Sequence, residues 1–223
     1  MSIIKTCIFD LDGVIVDTAK YHYIAWKEIA KELNFDFTEH DNERLKGVSR
    51  MRSLDILLEI GNLTFDETTK LALADKKNKI YVGYIEKMTK AEILPGVSNF
   101  LNELKIAGIK TAIGSASKNT PLILDRIGLI NSFDAIIDGN KTSKAKPDPE
   151  VFQLGAKALK SEPHECIVFE DAEAGIEAAL AAKMHCVGIG SPQILGKADL
   201  VIPGFATINW NHLKSIFEKK ISV

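Results

Sequence analysis

The sequence predicts an α/β protein: a doubly wound parallel sheet with an all-helical domain inserted after its first strand. Three observations lead there. Residues 3–9 are a short apolar run that stops abruptly at Asp10-Leu11-Asp12-Gly13, as a buried strand does at its end. From Val16 to Leu94 every periodic segment reads as helix. Beyond Leu94-Pro95-Gly96, short apolar runs alternate with helical ones, the pattern of parallel strands joined by crossover helices. The expected layout is a core of residues 1–14 and 93–223 and a helical cap of residues 15–92.

The elements follow in order. Residues 18–34 read as a helix, with Trp26, Ile29, Ala30 and Leu33 on one face and Asp17 or Thr18 as its cap. Gly47 then breaks the pattern, and Ser49 is placed to cap a helix over 50–60. Thr64 and Glu67 match a capping box for a long helix running to about residue 88. That helix carries Leu73, Ile80, Tyr81, Tyr84 and Met88 on its apolar face, with Lys77 among them. A helix over 97–107 ends at Gly108, and a strand over 110–114 follows. Pro121 suits the first turn of the next helix. Strands are expected over 134–137, 166–169, 186–189 and 199–202, and helices from Glu150, over 172–182 and over 207–219. The last residues, 221–223, read as a loose end.

Composition excludes several functions. Basic residues number 28 and acidic 30, so the formal charge is −2, which leaves no electrostatic footprint for nucleic acid or an acidic membrane. No apolar run is long enough for a membrane span. The first residues lead straight into a strand, so no signal peptide is expected. Cys7, Cys166 and Cys186 form no C-x-x-C pair, and each lies in or beside an apolar run. Such thiols behave as small buried hydrophobes in a reducing, cytoplasmic compartment. Small net charge and short tails fit a monomer.

The chemistry concentrates at strand ends. Asp10 and Asp12 fall on one side of the chain if it stays extended, where two anions would repel. A divalent cation relieves that repulsion, and hard oxygen ligands suit Mg²⁺. Ser115 follows a second strand. A lysine, Lys144 or Lys146, lies in the proline-stiffened Lys-Ala-Lys-Pro-Asp-Pro loop. Glu170-Asp171 ends a further strand. In a Rossmann-like doubly wound sheet these strand ends open on one crevice. Lys46-Gly47-Val48-Ser49-Arg50 adds two cations and a hydroxyl at a helix start, a plausible phosphate seat. Spacing alone also allows a solvated basic turn there, a capping His22, a core Trp26 and a snorkelling Lys77.

The order of acid pair, hydroxyl, lysine and acid pair resembles the four motifs of the haloacid dehalogenase superfamily, whose nucleophile motif is D-x-D-G. Thr18 to His22, Trp26-Lys27, Leu45 to Arg50, Ser53-Leu54, Ser115 to Asn119 and Glu170-Asp171 together are similar to its β-phosphoglucomutase family. The sequence departs at Ala172, where many relatives carry serine. The resemblance implies Asp10 as nucleophile and Asp12 as acid/base. It implies Mg²⁺ on Asp10, the Asp12 carbonyl, Asp171 and Glu170. Ser115, Ala116 and Lys146, the lysine directly before Pro147, would bind the transferring phosphate. Arg50, Ser117 and Asn119 would grip a second, non-reacting phosphate. His22, Lys46, Gly47, Ser53 and Lys77 would orient the sugar or Asp12. Thr18, Trp26, Val48, Ser49 and Lys118 complete the implied substrate set. The implied reaction interconverts β-D-glucose 1-phosphate and glucose 6-phosphate through β-glucose 1,6-bisphosphate, which also primes the enzyme.

Two rivals share these residues in part. A sugar-phosphate phosphatase of the same superfamily needs the same core. A phospho-accepting signalling receiver also uses acids, a hydroxyl and a lysine, but carries its aspartate on a middle strand and lacks a helical insertion.

Overall fold

The apolar run at the N-terminus is the centre of the sheet. In the computed structural model, which describes residues 4–221, six strands pair in parallel. They are β1 (Thr6–Phe9), β2 (Lys110–Gly114), β3 (Ala135–Ile137), β4 (Cys166–Glu170), β5 (His185–Ile189) and β6 (Leu200–Ile202), in the order β3-β2-β1-β4-β5-β6. The chain steps from β1 to one edge, then returns to β4 and steps to the other. The reversal point lies beside β1, where such sheets open a crevice at the carboxyl ends of the strands.

Among the described residues there are ten α-helices: α1 (Ala19–Glu32), α2 (Glu39–Glu43), α3 (Arg50–Ile60), α4 (Glu67–Ile85), α5 (Val97–Ile106), α6 (Thr120–Arg126), α7 (Glu150–Leu159), α8 (Glu173–Ala181), α9 (Pro192–Leu195) and α10 (Trp210–Ile221). From Cys7 to Phe9 β1 is apolar because both its faces are covered, while the buried Thr6 hydroxyl meets that of Ser161 at 2.6 Å. Cys7 and Phe9 point to a cluster that includes Phe100 and Leu104 of α5, and Ile8 points to one that includes Phe152 of α7 and Ile176 of α8. Phe9 stacks on Phe169 at 4.7 Å between ring centroids. The three cysteines are buried and unbridged, and burial pushes the Cys166 thiol up to about 12. No helix among the described residues is long and apolar enough to cross a membrane.

α1 to α4 enclose a separate apolar cluster built on Trp26, Ile29, Phe37, Leu54 and Leu57. At its base, Tyr81, Ile85 and Met88 instead join the sheet's cluster together with Val14, Ile15 and Val16. The helical unit is therefore anchored through both of its connections.

Several expected boundaries shift. Ile3 lies outside the described residues, as do residues 222 and 223 of the expected loose end. The Thr64–Glu67 capping box does not form: Asp66 caps α4, accepting from the Thr69 N–H at 2.7 Å. An aspartate one residue before the helix outcompetes the earlier threonine. α1 starts after Thr18, but that hydroxyl is spent on Asp12 instead of a cap. The last helix begins at Trp210, not 207, because Asn209 accepts from the His212 N–H at 2.9 Å and sets a new start. α10 runs through Ile221, into the expected loose end. The short α2 and α9 had too few periodic residues to read.

Candidate active site

β1 and β4 end level with one another. The Asp10 N–H donates to the Phe169 carbonyl at 3.0 Å, which sets Asp10 beside Glu170 and Asp171. One carboxylate oxygen from each of these three lies within 4.8 Å of the others. Two glycines make that crowding possible. A Cβ on Gly13, whose φ is +82°, would fall 2.1 Å from an Asp171 carboxylate oxygen, and one on Gly175 would fall 1.9 Å from the Glu170 carboxyl carbon. The chain does not stay extended past Asp10. It turns back at Gly13, whose N–H donates to the Val16 carbonyl at 2.8 Å. The expected alternation of Asp10 and Asp12 is thus replaced by a turn, and the Asp12 carboxylate accepts from the Thr18 hydroxyl.

Of the two candidate lysines, Lys146 enters the site. Its side chain is 1% exposed, and it pairs with Asp10 at 2.5 Å and with Glu170. Lys144 points out and pairs with Asp148. The Lys146–Pro147 peptide is cis.

The charges do not balance. Burial alone would lower Lys146, but Asp10 and Glu170 outweigh it and keep the ammonium charged. Shared between two acids, it cannot neutralise the rest. Burial, helped by the Asp10 charge, pushes Glu170 up to about 7 and Asp12 up to about 6. Burial, then Glu170 and Asp10, push Asp171 well above the carboxylate range. Four acids around one buried ammonium form an all-oxygen set that repels itself, which fits a hard divalent cation of the Mg²⁺ type.

These groups open on a cavity of about 590 Å³ between the strand ends and the helical unit. From the helical side it is lined by His22 and Trp26 of α1, the stretch Lys46 to Arg50, Ser53 of α3, and Lys77 of α4. From the strand side it is lined by Asp10, Asp12, Lys146, Asp171 and the loop Ala116 to Asn119. Three expected residues, Thr18, Ser115 and Glu170, do not line it. All three are buried behind it and act on residues that do.

The helical wall is cationic. Ser49 caps α3 by accepting from the Arg52 N–H at 3.3 Å, which puts Arg50 in the first turn. No ion pair engages Arg50 among the described residues. Lys46 pairs with Glu43 at 2.9 Å. Lys77 lies over the rings of Trp26 and Tyr81, 4.8 and 4.6 Å from their centroids, and meets Nδ1 of His22 at 2.8 Å. Burial, with Arg50 nearby, lowers Lys77 to about 7. Burial and then Lys77 hold His22 well below the usual histidine range.

The expected phosphate seat after β2 differs in detail. α6 starts five residues beyond Ser115, so a turn, not a helix end, follows the strand. Ser115 Oγ accepts from the Ser117 N–H at 3.0 Å, and Ser117 Oγ accepts from the Asn119 N–H at 3.2 Å. Neither Ser117 nor Asn119 caps α6 through its side chain.

The sequence reading missed Asn42, Asn78 and the site role of Tyr81, all of which line the cavity. Among the described residues, Asn42 Oδ1 and the Tyr81 hydroxyl are the buried side-chain atoms without a protein partner. Such atoms normally find one. On α4, Tyr81 lies four positions after Lys77 and three after Asn78, so it is a neighbour of both on the helix surface.

The chain is similar to proteins of known activity and known structure. The family model for haloacid dehalogenase-like hydrolases matches residues 4–183. The chain is 44% identical over 200 residues to the β-phosphoglucomutase of Bacillus subtilis (strain 168), covering 89% of this chain and 88% of that protein. It is 29% identical to a phosphorylated carbohydrates phosphatase of Thermotoga maritima, covering 96% and 99% of the two chains. The crystal structure of β-phosphoglucomutase from Clostridium difficile superposes with a TM-score of 0.95 at 42% identity, covering 99% of this chain and all of that one.

Proposed function

Because the chain belongs to the haloacid dehalogenase-like hydrolase family, we propose that it is a Mg²⁺-dependent β-phosphoglucomutase interconverting β-D-glucose 1-phosphate and D-glucose 6-phosphate. One observation carries this reading beyond family membership. A buried acid–lysine centre faces a separate cationic wall, Lys46, Arg50 and Lys77, across one cavity. A phosphatase needs only the first. A sugar phosphorylated at both ends needs both.

In the proposed mechanism an Asp10 carboxylate oxygen attacks the phosphorus of β-glucose 1,6-bisphosphate. The P–O bond to the sugar breaks, leaving an aspartyl phosphate and a sugar monophosphate. Asp12, at about 6, supplies a proton to the departing sugar oxygen and takes one from the attacking hydroxyl in the reverse step. The bisphosphate turns over between the two half-reactions and primes the free enzyme. Lys146 sets its charge against the transferring oxygens, and Ser115 holds the turn whose backbone faces them. Asp10, Asp171, Glu170 and the Asp12 carbonyl would hold Mg²⁺, which when bound neutralises charge on the transferring group. Arg50, Ser117 and Asn119 would grip the distal phosphate, with Lys118 beside them. Thr18 would orient Asp12. His22, Trp26, Gly47, Val48, Ser49 and Ser53 would shape the sugar site. In this reading the protein works as a cytoplasmic monomer.

A sugar-phosphate phosphatase is the second reading, favoured by the Thermotoga relative. Water decides between the two, since a mutase must protect its aspartyl phosphate until a sugar hydroxyl arrives. The test gives the protein Mg²⁺, β-glucose 1-phosphate and a trace of acetyl phosphate, and follows glucose 6-phosphate and inorganic phosphate together. Glucose 6-phosphate with little phosphate is expected. Phosphate release without isomerisation would make it a phosphatase.

A further inference from the structure

We propose that Asn78 is a positioning residue: it orients Asn119 and ties closure of the helical unit to the phosphate seat, and so keeps water from the phosphorylated enzyme. This deepens the mutase reading and rests on it.

The observation is a single bond across the cleft. Asn119 Nδ2 donates to Asn78 Oδ1 at 2.9 Å. Asn78 belongs to α4 of the helical unit, and Asn119 ends the turn that follows β2. Elsewhere among the described residues the two bodies are hydrogen-bonded beside the connections themselves, as at Leu94 N–H to the Ile15 carbonyl (3.0 Å) and at the Thr18 hydroxyl to the Asp12 carboxylate. A bond at those connections lies where the chain already joins the two bodies and adds little against their parting. Asn78–Asn119 sits away from them, with the cavity between.

The strand-side partner is rigid. The turn is held by Ser115 and Ser117 hydroxyls, by Thr120 Oγ1 donating to the Ser117 carbonyl at 2.8 Å, and by Asn140 Nδ2 donating to the Lys118 carbonyl at 3.0 Å. The Asn119 side chain is the part of this turn that reaches the helical unit. Its amide has two N–H groups. Asn78 takes one, which fixes the amide plane and leaves the other for the cavity that both residues line. The helical side is seated equally closely: a Cβ on Gly47, whose φ is +72°, would fall 2.9 Å from the Ala172 Cβ. Asn78 also neighbours Lys77 in sequence, so one turn of α4 carries both the cation and the latch.

The experiment compares wild type, Asn78→Ala, Asn78→Leu, Asn119→Ala and Asn78→Ala/Asn119→Ala. Isomerisation of β-glucose 1-phosphate and phosphate release from acetyl phosphate are measured on each, with melting curves. Losing one neutral hydrogen bond predicts about a 2- to 10-fold rise in KM for isomerisation. Phosphate released per isomer formed should rise similarly, with unchanged melting. Asn78→Leu, which fills the volume without the bond, should match Asn78→Ala. The double variant should be no worse than Asn119→Ala. A wild-type-like Asn78→Leu, additive losses, or isomerisation and phosphate release falling together would each overturn the proposal. If wild type makes no glucose 6-phosphate, the mutase reading fails, and phosphate release from acetyl phosphate still tests the latch: it should be faster in Asn78→Ala than in wild type, and an equal or slower rate would overturn it.

Discussion

Lys77 Nζ and His22 Nδ1 lie 2.8 Å apart in the wall of the cavity. Two cations would not hold that distance. His22, kept neutral by burial and by Lys77, accepts from the ammonium. Lys77 itself is lowered by burial to about 7, so near neutrality it is charged in only part of the molecules.

Proton uptake follows from that pair. An anionic phosphosugar favours charged Lys77 and raises its pKa. Above pH 7 binding must therefore take up a proton, and affinity should fall as pH rises through that range. Calorimetry at pH 8 in buffers of different ionisation enthalpy should show uptake, and Lys77→Met should abolish it. Equal heats in all buffers would remove Lys77 as the responsive group.

The stability sign is fixed by the same shift. A folded-state pKa below the unfolded one means the unfolded chain binds more protons between about 7 and the normal lysine value. Lys77 therefore costs stability most below pH 7, and the cost is relieved as pH rises. Lys77→Met should raise the melting temperature more at pH 6 than at pH 9.5. An equal or reversed gain would contradict a charged, buried Lys77.

The roles of the two aspartates separate by magnitude. Asp12→Asn should lower isomerisation by about 10²- to 10⁴-fold, the usual worth of a general acid or base. Asp10→Asn should be worse and should form no phosphorylated protein by intact mass after acetyl phosphate treatment. Near-normal turnover by Asp10→Asn would discard it as nucleophile.

Arg50 tests the distal phosphate. Arg50→Ala should damage isomerisation much more than hydrolysis of acetyl phosphate, which has no second phosphate to grip. Equal losses would place Arg50 in the scaffold instead.

Gly175→Ala tests the acid cluster. Its added carbon would meet the Glu170 carboxyl group, so Glu170 must move. Mg²⁺ titration of activity should shift to higher concentration by about tenfold or more, in line with the loss seen on disturbing groups around a metal. Unchanged Mg²⁺ dependence in a folded variant would exclude Glu170 from the metal site.

Much of this site was legible because strand ends advertise it. An apolar run stopping at Asp10, another stopping at Glu170-Asp171, and a glycine at 13 are local signals, set by side-chain period and backbone sterics. The same holds for Ser49 as the cap of α3, where one hydroxyl decides the start. Tyr81 read only as part of an apolar face, and Asn42 and Asn78 carried no such mark. A polar residue on a helix reads as solvated unless something else shows which way that face looks.

What the sequence determined by itself was the order of strands and helices, the inserted helical segment and the acids, hydroxyl and lysine of the crevice. What only the tertiary structure decided was pairing at a distance: the Thr18 hydroxyl turned to Asp12, Lys77 against His22, and Asn78 against Asn119. Local periodicity sets which face of an element is buried. Which charged or amide groups meet depends on how the helical unit and the sheet layer dock. That docking is set by shape and burial summed over many residues, and no short window of sequence contains it.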